Sequence, residues 1–543
     1  MKYEILDVDA LGRIGKIELE NKKLITPNLL PVVHPYLNTV SPKEIKKIGF
    51  NSIFTNAYIL FKNKEKRNEV LEKKLHQFLD YDGLIATDSG AFQQYMYNKG
   101  GIEIKADTIE SFQEKIDSDF PVILDLPVQP DDDFLTAKKK VNLSLERAKD
   151  NIKRRKKKRS WIGPIHGSMY LDLLKKSTKE MSKLDFDIFA VGGLVKFFLN
   201  YQFENILQIL LTVKKNIIPS KPLHMFGLGL PQFFSLAVAF GCDLMDSAAY
   251  ALYAKENRYF TLSTGTRNLN ELTEFPCNCP ICSNYSPEDL ISFPESKKIN
   301  LLAKHNLYIS YSELKTIRQA IRDGNLWELV EERVRTHPRL LEALIFIKDN
   351  RSFFERYEKT YKNHGRLFSS LESKFRPLLY RYYHRLQYDY NIPKKTKFMV
   401  LLPELDIKGK NSPMVQKWFE HINKNERIPR EYIHILFYSK FFGIIPLGLI
   451  DTFPMGQYES LEFNDGLDFL YKGIDKKILA YIKNKQNNYQ KCAILIPKYF
   501  INQFNEKVEF NRKPINNIFQ KLKLNLNIPI IKADNIRDII KWF

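Results

Sequence analysis

Residues 222–247, "PLHMFGLGLPQFFSLAVAFGCDLMDS", decide the fold. A short apolar run ends at Gly229 among small residues, a segment with helical patterning follows, and a second apolar run ends at Asp246 and Ser247. Apolar runs too short for helices, bounded by small or polar residues and separated by helical segments, are the βα alternation of a parallel sheet. The alternation extends backwards through "GLIATDSG" near Gly90, "PVILDLP" near Pro127, "SWIGPIHG" near Gly167 and "DIFAVGG" near Gly193. A span of about 250 residues suits an eight-stranded barrel better than a Rossmann sheet, and no GxGxxG follows the first strand. The expected fold is α/β, a (β/α)8 TIM-type barrel.

In such a barrel the polar residues at the C-terminal ends of the strands converge on one face, where active sites of this fold lie. Asp88, Asp125, His166 and Asp246 close four of the runs and would share that mouth. A single Asp closing a strand is commonly a helix N-cap. Four strand ends offering Asp or His beside glycines point instead to a functional group.

The loop "EFPCNCPICSNY", residues 274–285, holds three of the five cysteines, Cys277, Cys279 and Cys282. Thiolates at this spacing on a proline-punctuated loop can point at one ion, and soft sulfur ligands favour zinc. A fourth ligand is needed, and the nearest downstream histidine is His305, in a segment that reads as helical. A Cys3His set leaves no open position for water, so the expected ion is structural, stapling a loop excursion to the barrel.

The 543-residue chain is long enough for roughly two to four domains. Its 84 Lys and Arg against 63 Asp and Glu give a net charge of +21, which suits a polyanionic partner, nucleic acid first and a membrane surface second. Five cysteines are too few for a disulfide framework, which fits a reducing cytoplasm. The start, "MKYEILDVDALGRIGKIEL", reads as two short strands around a Gly12 turn and lacks the apolar core of a signal peptide. The longest apolar stretch, residues 433–450, is interrupted by His434, Lys440 and Pro446, which predicts buried strands rather than a membrane span. The basic run "NIKRRKKKRSW" (151–161) is either a solvated helix end or a contact to the RNA backbone. An amphipathic helix around a Gly324 break fills about 310–347, with a boundary at Pro338. In "RPLLYRYYHRLQYDY" (376–390) the tyrosines either pack a helix or stack on unpaired bases. Residues 395–543 alternate strand-like runs with polar helices, and Cys492 reads as a core residue of one strand.

Taken in order, "TDSGAFQ" (87–93), "LDLP" (124–127), "GSMYLDL" (167–173), "HMFGLGLP" (224–231), "GCDLMDSAAYALYA" (241–254) and the Cys/His site with "HNLY" (305–308) resemble the tRNA-guanine transglycosylases, specifically the archaeal branch. The resemblance covers about residues 1 to 345. It implies a zinc-containing barrel, usually a homodimer, that exchanges the guanine at position 15 of the tRNA D-loop for 7-cyano-7-deazaguanine, the precursor of archaeosine. By the same resemblance Asp246 is the nucleophile that forms a covalent ribosyl intermediate. Asp88 would protonate the departing guanine and deprotonate the incoming base, work that favours a carboxyl pKa raised by burial near another carboxylate. Asp125 would accept from the ring N–H and exocyclic amine of a guanine-like edge. Ser89, Phe92, His166 and Phe226 map to the base pocket, with Phe92 and Phe226 suited to sandwich a flipped base. Gly192, Gly193 and Leu194 would let the backbone approach it.

The expected domains are a catalytic barrel at 1–345 with a zinc subdomain at about 274–310, a helical linker at 346–394 and a small C-terminal α/β domain at 395–543. Three departures from the family pattern bear on function. His166 stands where the family usually carries glutamine, and "VGGLVKFF" (191–198) is closer to the bacterial Gly-Gly-Leu form than to the archaeal one. No PUA-type glycine-rich pattern is recognisable before Phe543, so presenting a D-loop guanine would fall to a separate PUA-containing protein or to the basic surfaces. A sister family that converts the nitrile to an amidine carries a cysteine after a similar "LLP"; here "LLPELDIKGKNSP" (401–413) has Glu404 instead, which disfavours amidine formation. Two other readings remain open: a non-catalytic tRNA-binding paralogue or partner subunit, and base exchange on another polynucleotide such as DNA.

Overall fold

Alternating apolar and polar residues at the N-terminus build an antiparallel meander of β1 (Lys2–Asp9), β2 (Gly12–Leu19) and β3 (Lys22–Thr26). The first turn is made by Ala10, with φ 52°, and Leu11, so Gly12 opens the second strand instead of forming the turn. These features belong to a computed structural model that describes residues 1–91, 104–156, 159–460, 473–502 and 504–543. The chain divides into two units, Met1–Phe346 and Ile347–Phe543.

Eight parallel strands follow the meander in the first unit. They are β4 (Asn28–Pro31), β5 (Ser52–Asn56), β6 (Leu84–Asp88), β7 (Phe120–Pro121), β8 (Ile162–Ile165), β9 (Ile188–Val191), β10 (Leu223–Met225) and β11 (Leu244–Ser247). Two sheets, β5-β6-β7 and β8-β9-β10-β11-β4, are joined by single parallel bridges at Val32–Phe54 and Val122–Ile162. The strands therefore run in chain order around a ring, and β11 pairs with β4. The six runs named from the sequence are β6 to β11; β4 and β5 come from "NLLP" and "SIFTN". Much of "PVILDLP" is extended chain beyond the two-residue β7.

One buried cluster fills the ring. It takes Leu30, Phe54, Leu84, Ala86, Phe120, Val122, Ile162, Ile188, Ala190 and Leu244 from the strands, and Ile17 and Leu24 from the meander that closes the N-terminal end. Removing this apolar surface from water is the main term holding the barrel together. A buried ion pair adds register: Arg13 of β2 binds Asp243, just before β11, with Nε 3.0 Å from Oδ1. Asp243 also accepts from the Leu223 N–H at 2.8 Å. Burial raises its pKa, but the charges of Arg13 and Lys214 outweigh that and hold the carboxyl below the usual range.

After β11 and the helix Ala249–Lys255 the chain leaves the barrel as a hairpin, β12 (Arg258–Thr261) and β13 (Gly265–Asn268). The cysteine loop follows, then the 29-residue helix Glu295–Asp323, ended by Gly324 in the left-handed conformation at φ 71°. Pro338 opens the last helix of the unit, Pro338–Ile345.

The second unit contains a five-stranded sheet ordered Gly443–Pro446, Ile433–Ser439, Phe398–Pro403, Lys491–Leu495 and Ile530–Ala533, parallel except for the first strand. Residues 433–446 are buried strands, as their interrupted apolar run predicts, and Cys492 lies in the core. The helix Pro377–Tyr388 packs Tyr382 inward, its hydroxyl donating to the Ile444 carbonyl at 2.5 Å, while Tyr388 is exposed. Glu404, closing the central strand, is buried and accepts from the Tyr458 hydroxyl. Among the described residues no helix is long and apolar enough to cross a membrane.

Candidate active site and metal centre

The C-terminal ends of the barrel strands surround a cavity of about 160 Å³ lined by Asp88, Asp125, His166, Gly192, Gly193, Phe226 and Asp246, with Phe54, Gln129 and Gly227 among their neighbours. That is small beside the ~300–1,000 Å³ of pockets that hold drug-sized ligands, so it admits a single ring system better than a whole nucleotide. A larger concavity of about 690 Å³, lined by residues such as Phe61, Arg67, Glu110 and Arg154, includes none of the strand-end carboxylates. The strand-end carboxylates are gathered at the smaller one.

Each carboxylate has its own setting. Asp88 ends β6 in register with Asn56, which ends β5; the Asn56 amide donates to Asp88 Oδ2 at 2.9 Å, and the Gly90 N–H to Oδ1 at 3.1 Å. Asp125 is buried and meets His166 Nε2 at 2.5 Å from Oδ2. Asp246 lies 2.8 Å through Oδ1 from Nε2 of His224 on β10. The helix after β11 has no side-chain cap, and Asp133, not Asp125, caps the helix Phe134–Arg154. Helix capping therefore accounts for neither Asp125 nor Asp246.

The glycines are required by close approach. A Cβ on Gly192 would lie 2.4 Å from His166 Cε1, and one on Gly193, with φ 78°, would lie 2.4 Å from the Val128 carbonyl oxygen. His166 Nδ1 and Gln129 Nε2 are buried at the cavity without a partner among the described residues. Buried polar atoms of this kind favour a ligand that can hydrogen-bond.

Ser89 is turned elsewhere, its hydroxyl donating to the Ile123 carbonyl at 3.1 Å. Leu194 is buried where the helix Val195–Leu199 begins, and it does not line the cavity. Phe92 lies outside the described residues. Sequence reasoning missed Asn56, Gln129 and His224. A polar residue inside the apolar run "PLHMF" was a signal for His224, and Asn56 ends its strand as Asp88 does; nothing local marks Gln129.

The basic run at 151–161 is partly engaged within the fold: Arg154 pairs with Glu110, Arg155 with Asp185 and Arg159 with Asp117. Lys157 and Lys158 lie outside the described residues.

Ligand atoms of Cys277, Cys279, Cys282 and His305 all lie within 4.8 Å of one another. His305 Nδ1 is 3.5 Å from Cys279 Sγ and 3.3 Å from Cys282 Sγ, while its Nε2 meets the Phe260 carbonyl at 3.0 Å. That carbonyl can only accept, so the ring proton belongs on Nε2 and the Nδ1 lone pair faces the sulfurs. Tyr259 stacks on His305 with centroids 3.7 Å apart and fixes the ring plane. Hydrogen bonds from Cys279 and Cys282 pull Cys277 well below the usual thiol range, while Cys277 and Cys279 push Cys282 above it. A divalent cation held between the three sulfurs would favour the thiolate of each. The donor set fits a metal ion.

Comparison with known proteins agrees with this arrangement. A family profile described as "Queuine tRNA-ribosyltransferase" matches residues 8–339. A protein named tRNA-guanine(15) transglycosylase from Methanocaldococcus jannaschii is 38% identical over 519 residues, covering 94% of this chain and 76% of the relative. Its namesake from Methanococcus vannielii is 36% identical over 543 residues, covering 96% and 81%. The one from Pyrococcus furiosus is 38% identical over 465 residues, covering 85% and 71%.

Proposed function

The chain belongs to the queuine tRNA-ribosyltransferase family, the tRNA-guanine transglycosylases, and on that premise we propose that it exchanges the guanine at position 15 of tRNA for 7-cyano-7-deazaguanine, a step of archaeosine biosynthesis. The observation that carries the reading is that Asp88 and Asp246, on different strands, line one ring-sized cavity.

Retention at the sugar calls for two displacements. Asp246 attacks C1′ of the guanosine. The C1′–N9 bond breaks, its electron pair leaves on guanine, and the base takes a proton from Asp88. The incoming base then gives a proton to Asp88 and attacks C1′ through N9, and the bond to Asp246 breaks to restore the carboxylate. Asp125, steadied by His166, accepts from the ring N–H and amine of the base, and Phe226 offers a face for stacking. His166 Nδ1 and the backbone at Gly192 and Gly193 border the rest of the cavity. We assign residues 1–345 to catalysis.

The Cys3His ion is zinc by the softness and number of its ligands. With four protein ligands it has no position for substrate, and its part is to tie the cysteine loop to the helix Glu295–Asp323. A cytoplasmic homodimer is the assembly expected from the family resemblance.

Purified protein is incubated with labelled guanine and a tRNA transcript, beside an Asp246→Ala variant. Label enters the RNA with the wild type and is lost with the variant. Equal RNA binding with no label entry from either protein would instead make the chain a binding subunit. A transcript with position 15 changed should take up no label, and DNA should take up none.

A further inference from the structure

On β10 a histidine stands among the apolar side chains of the barrel interior. His224 is paired in register with Ala190 of β9 and Leu244 of β11, both members of the cluster that fills the ring, so its side chain points into the barrel. It is fully buried, edge-on to Phe54 at 5.9 Å and to Phe226 at 4.9 Å between centroids. A polar ring in that layer is costly unless it is hydrogen-bonded.

That bond runs to Asp246. A carboxylate can only accept, so the proton in the 2.8 Å contact sits on His224 Nε2. Nδ1 has no partner among the described residues. The Gly227 N–H approaches the same oxygen, Oδ1, at 3.4 Å. Both donors therefore converge on Oδ1, and Oδ2 has none among the described residues, although Asp246 lines the cavity.

We propose that His224 is the positioning residue of the nucleophile: by holding Oδ1 of Asp246 from inside the barrel, it leaves Oδ2 turned to the cavity as the attacking atom. The donor also fixes the rotation of the carboxylate. A hydrogen bond to the attacking oxygen itself would instead weaken its nucleophilicity. The inference rests on the nucleophilic role proposed for Asp246, and the imidazole acts through that carboxylate without touching the sugar.

The test compares His224→Gln, whose amide N–H can reach the place of Nε2, with His224→Met, which is similar in length and has no donor. In single-turnover base exchange the Met variant should be slower than wild type by about 10²-fold, the loss that follows from misplacing a reacting group by ~1 Å. KM for tRNA and for the base should stay within about threefold, as for the intact cavity, and the Gln variant should recover at least about tenfold of the loss. Equal rates for Met and Gln, or a change confined to KM, would overturn the proposal. So would a Met variant that fails to fold where Gln folds, because the bond would then be structural. A readout independent of both variants is the nitrogen-15 spectrum of the histidine rings in the intact wild-type protein. A proton on Nε2 of His224 that is disturbed in Asp246→Ala supports the proposal, and a proton on Nδ1 alone overturns it. A wild type that exchanges no base overturns the functional reading and this inference with it; an active wild type matched by His224→Met overturns this inference alone.

Discussion

At the scale of single residues the site rests on paired polar groups. Asp125 is the clearest case, since one of its oxygens is held by His166 and the carboxylate borders the cavity. If it reads the donor edge of the base, Asp125→Asn replaces one acceptor with a donor that faces the base's own N–H. Each hydrogen bond to a charged group is worth ~1.5–3 kcal/mol, so the KM for free guanine should rise by roughly 10²-fold while tRNA affinity stays near wild type. A steady-state titration of the base checks this, and an unchanged KM would remove Asp125 from base recognition. Much of the constellation was legible before the fold was known, because Asp88, Asp125, His166 and Asp246 each close an apolar run. Their partners were not. Asn56 meets Asp88 across 32 positions and His224 meets Asp246 across 22, and contacts of that separation follow from strand register rather than from any local pattern.

At the scale of elements, the hairpin β12–β13, the cysteine loop and the helix Glu295–Asp323 form one excursion in which the Phe260 carbonyl, on β12, orients the candidate ligand His305. Removing that ligand should release the metal and loosen the excursion without altering the barrel mouth. His305→Ala is expected to lose most of its bound zinc and to melt lower by roughly 5–10 °C, since ~1 kcal/mol shifts the midpoint of a domain of this size by a few degrees. Its exchange rate at 25 °C should remain within about threefold of wild type, because a closed Cys3His site offers no open coordination position. Metal analysis and calorimetry check both halves, and a variant that keeps its metal would show that another group completes the set. The Cys277, Cys279 and Cys282 spacing announced this element, yet its anchoring carbonyl and the stacked Tyr259 ring were invisible in sequence, because backbone acceptors and aromatic faces carry no spacing signature.

At the scale of the whole molecule, the two units carry different buried chemistry. In the second unit His434 is bonded to Tyr390 at 3.0 Å and Tyr489 at 2.7 Å, and burial, with help from Arg430, pushes its pKa down to about 4. The unfolded chain takes up that proton near the ordinary histidine value of about 6.5. The unfolded state therefore binds more protons in between, and the contribution of His434 is complete above about pH 6.5 and is lost as the pH falls toward the folded value. Hydrogen exchange within residues 347–543 should accelerate from pH 6.5 to 4, after correction for intrinsic rates, and His434→Phe should flatten that slope; an unaltered slope would place the titration elsewhere. The alternation of short apolar runs with helices, the residues at the run ends and the Cys/His spacing can be read from the chain alone, because these are periodic or local patterns. Packing in three dimensions was needed to close the ring through the Val32–Phe54 and Val122–Ile162 bridges, to pair His166 with Asp125 and to give His224 one oxygen of Asp246. The physical reason is that the stagger between strands, which chooses the side chains meeting across the barrel, is set by how all eight pack together and is encoded in none of them alone.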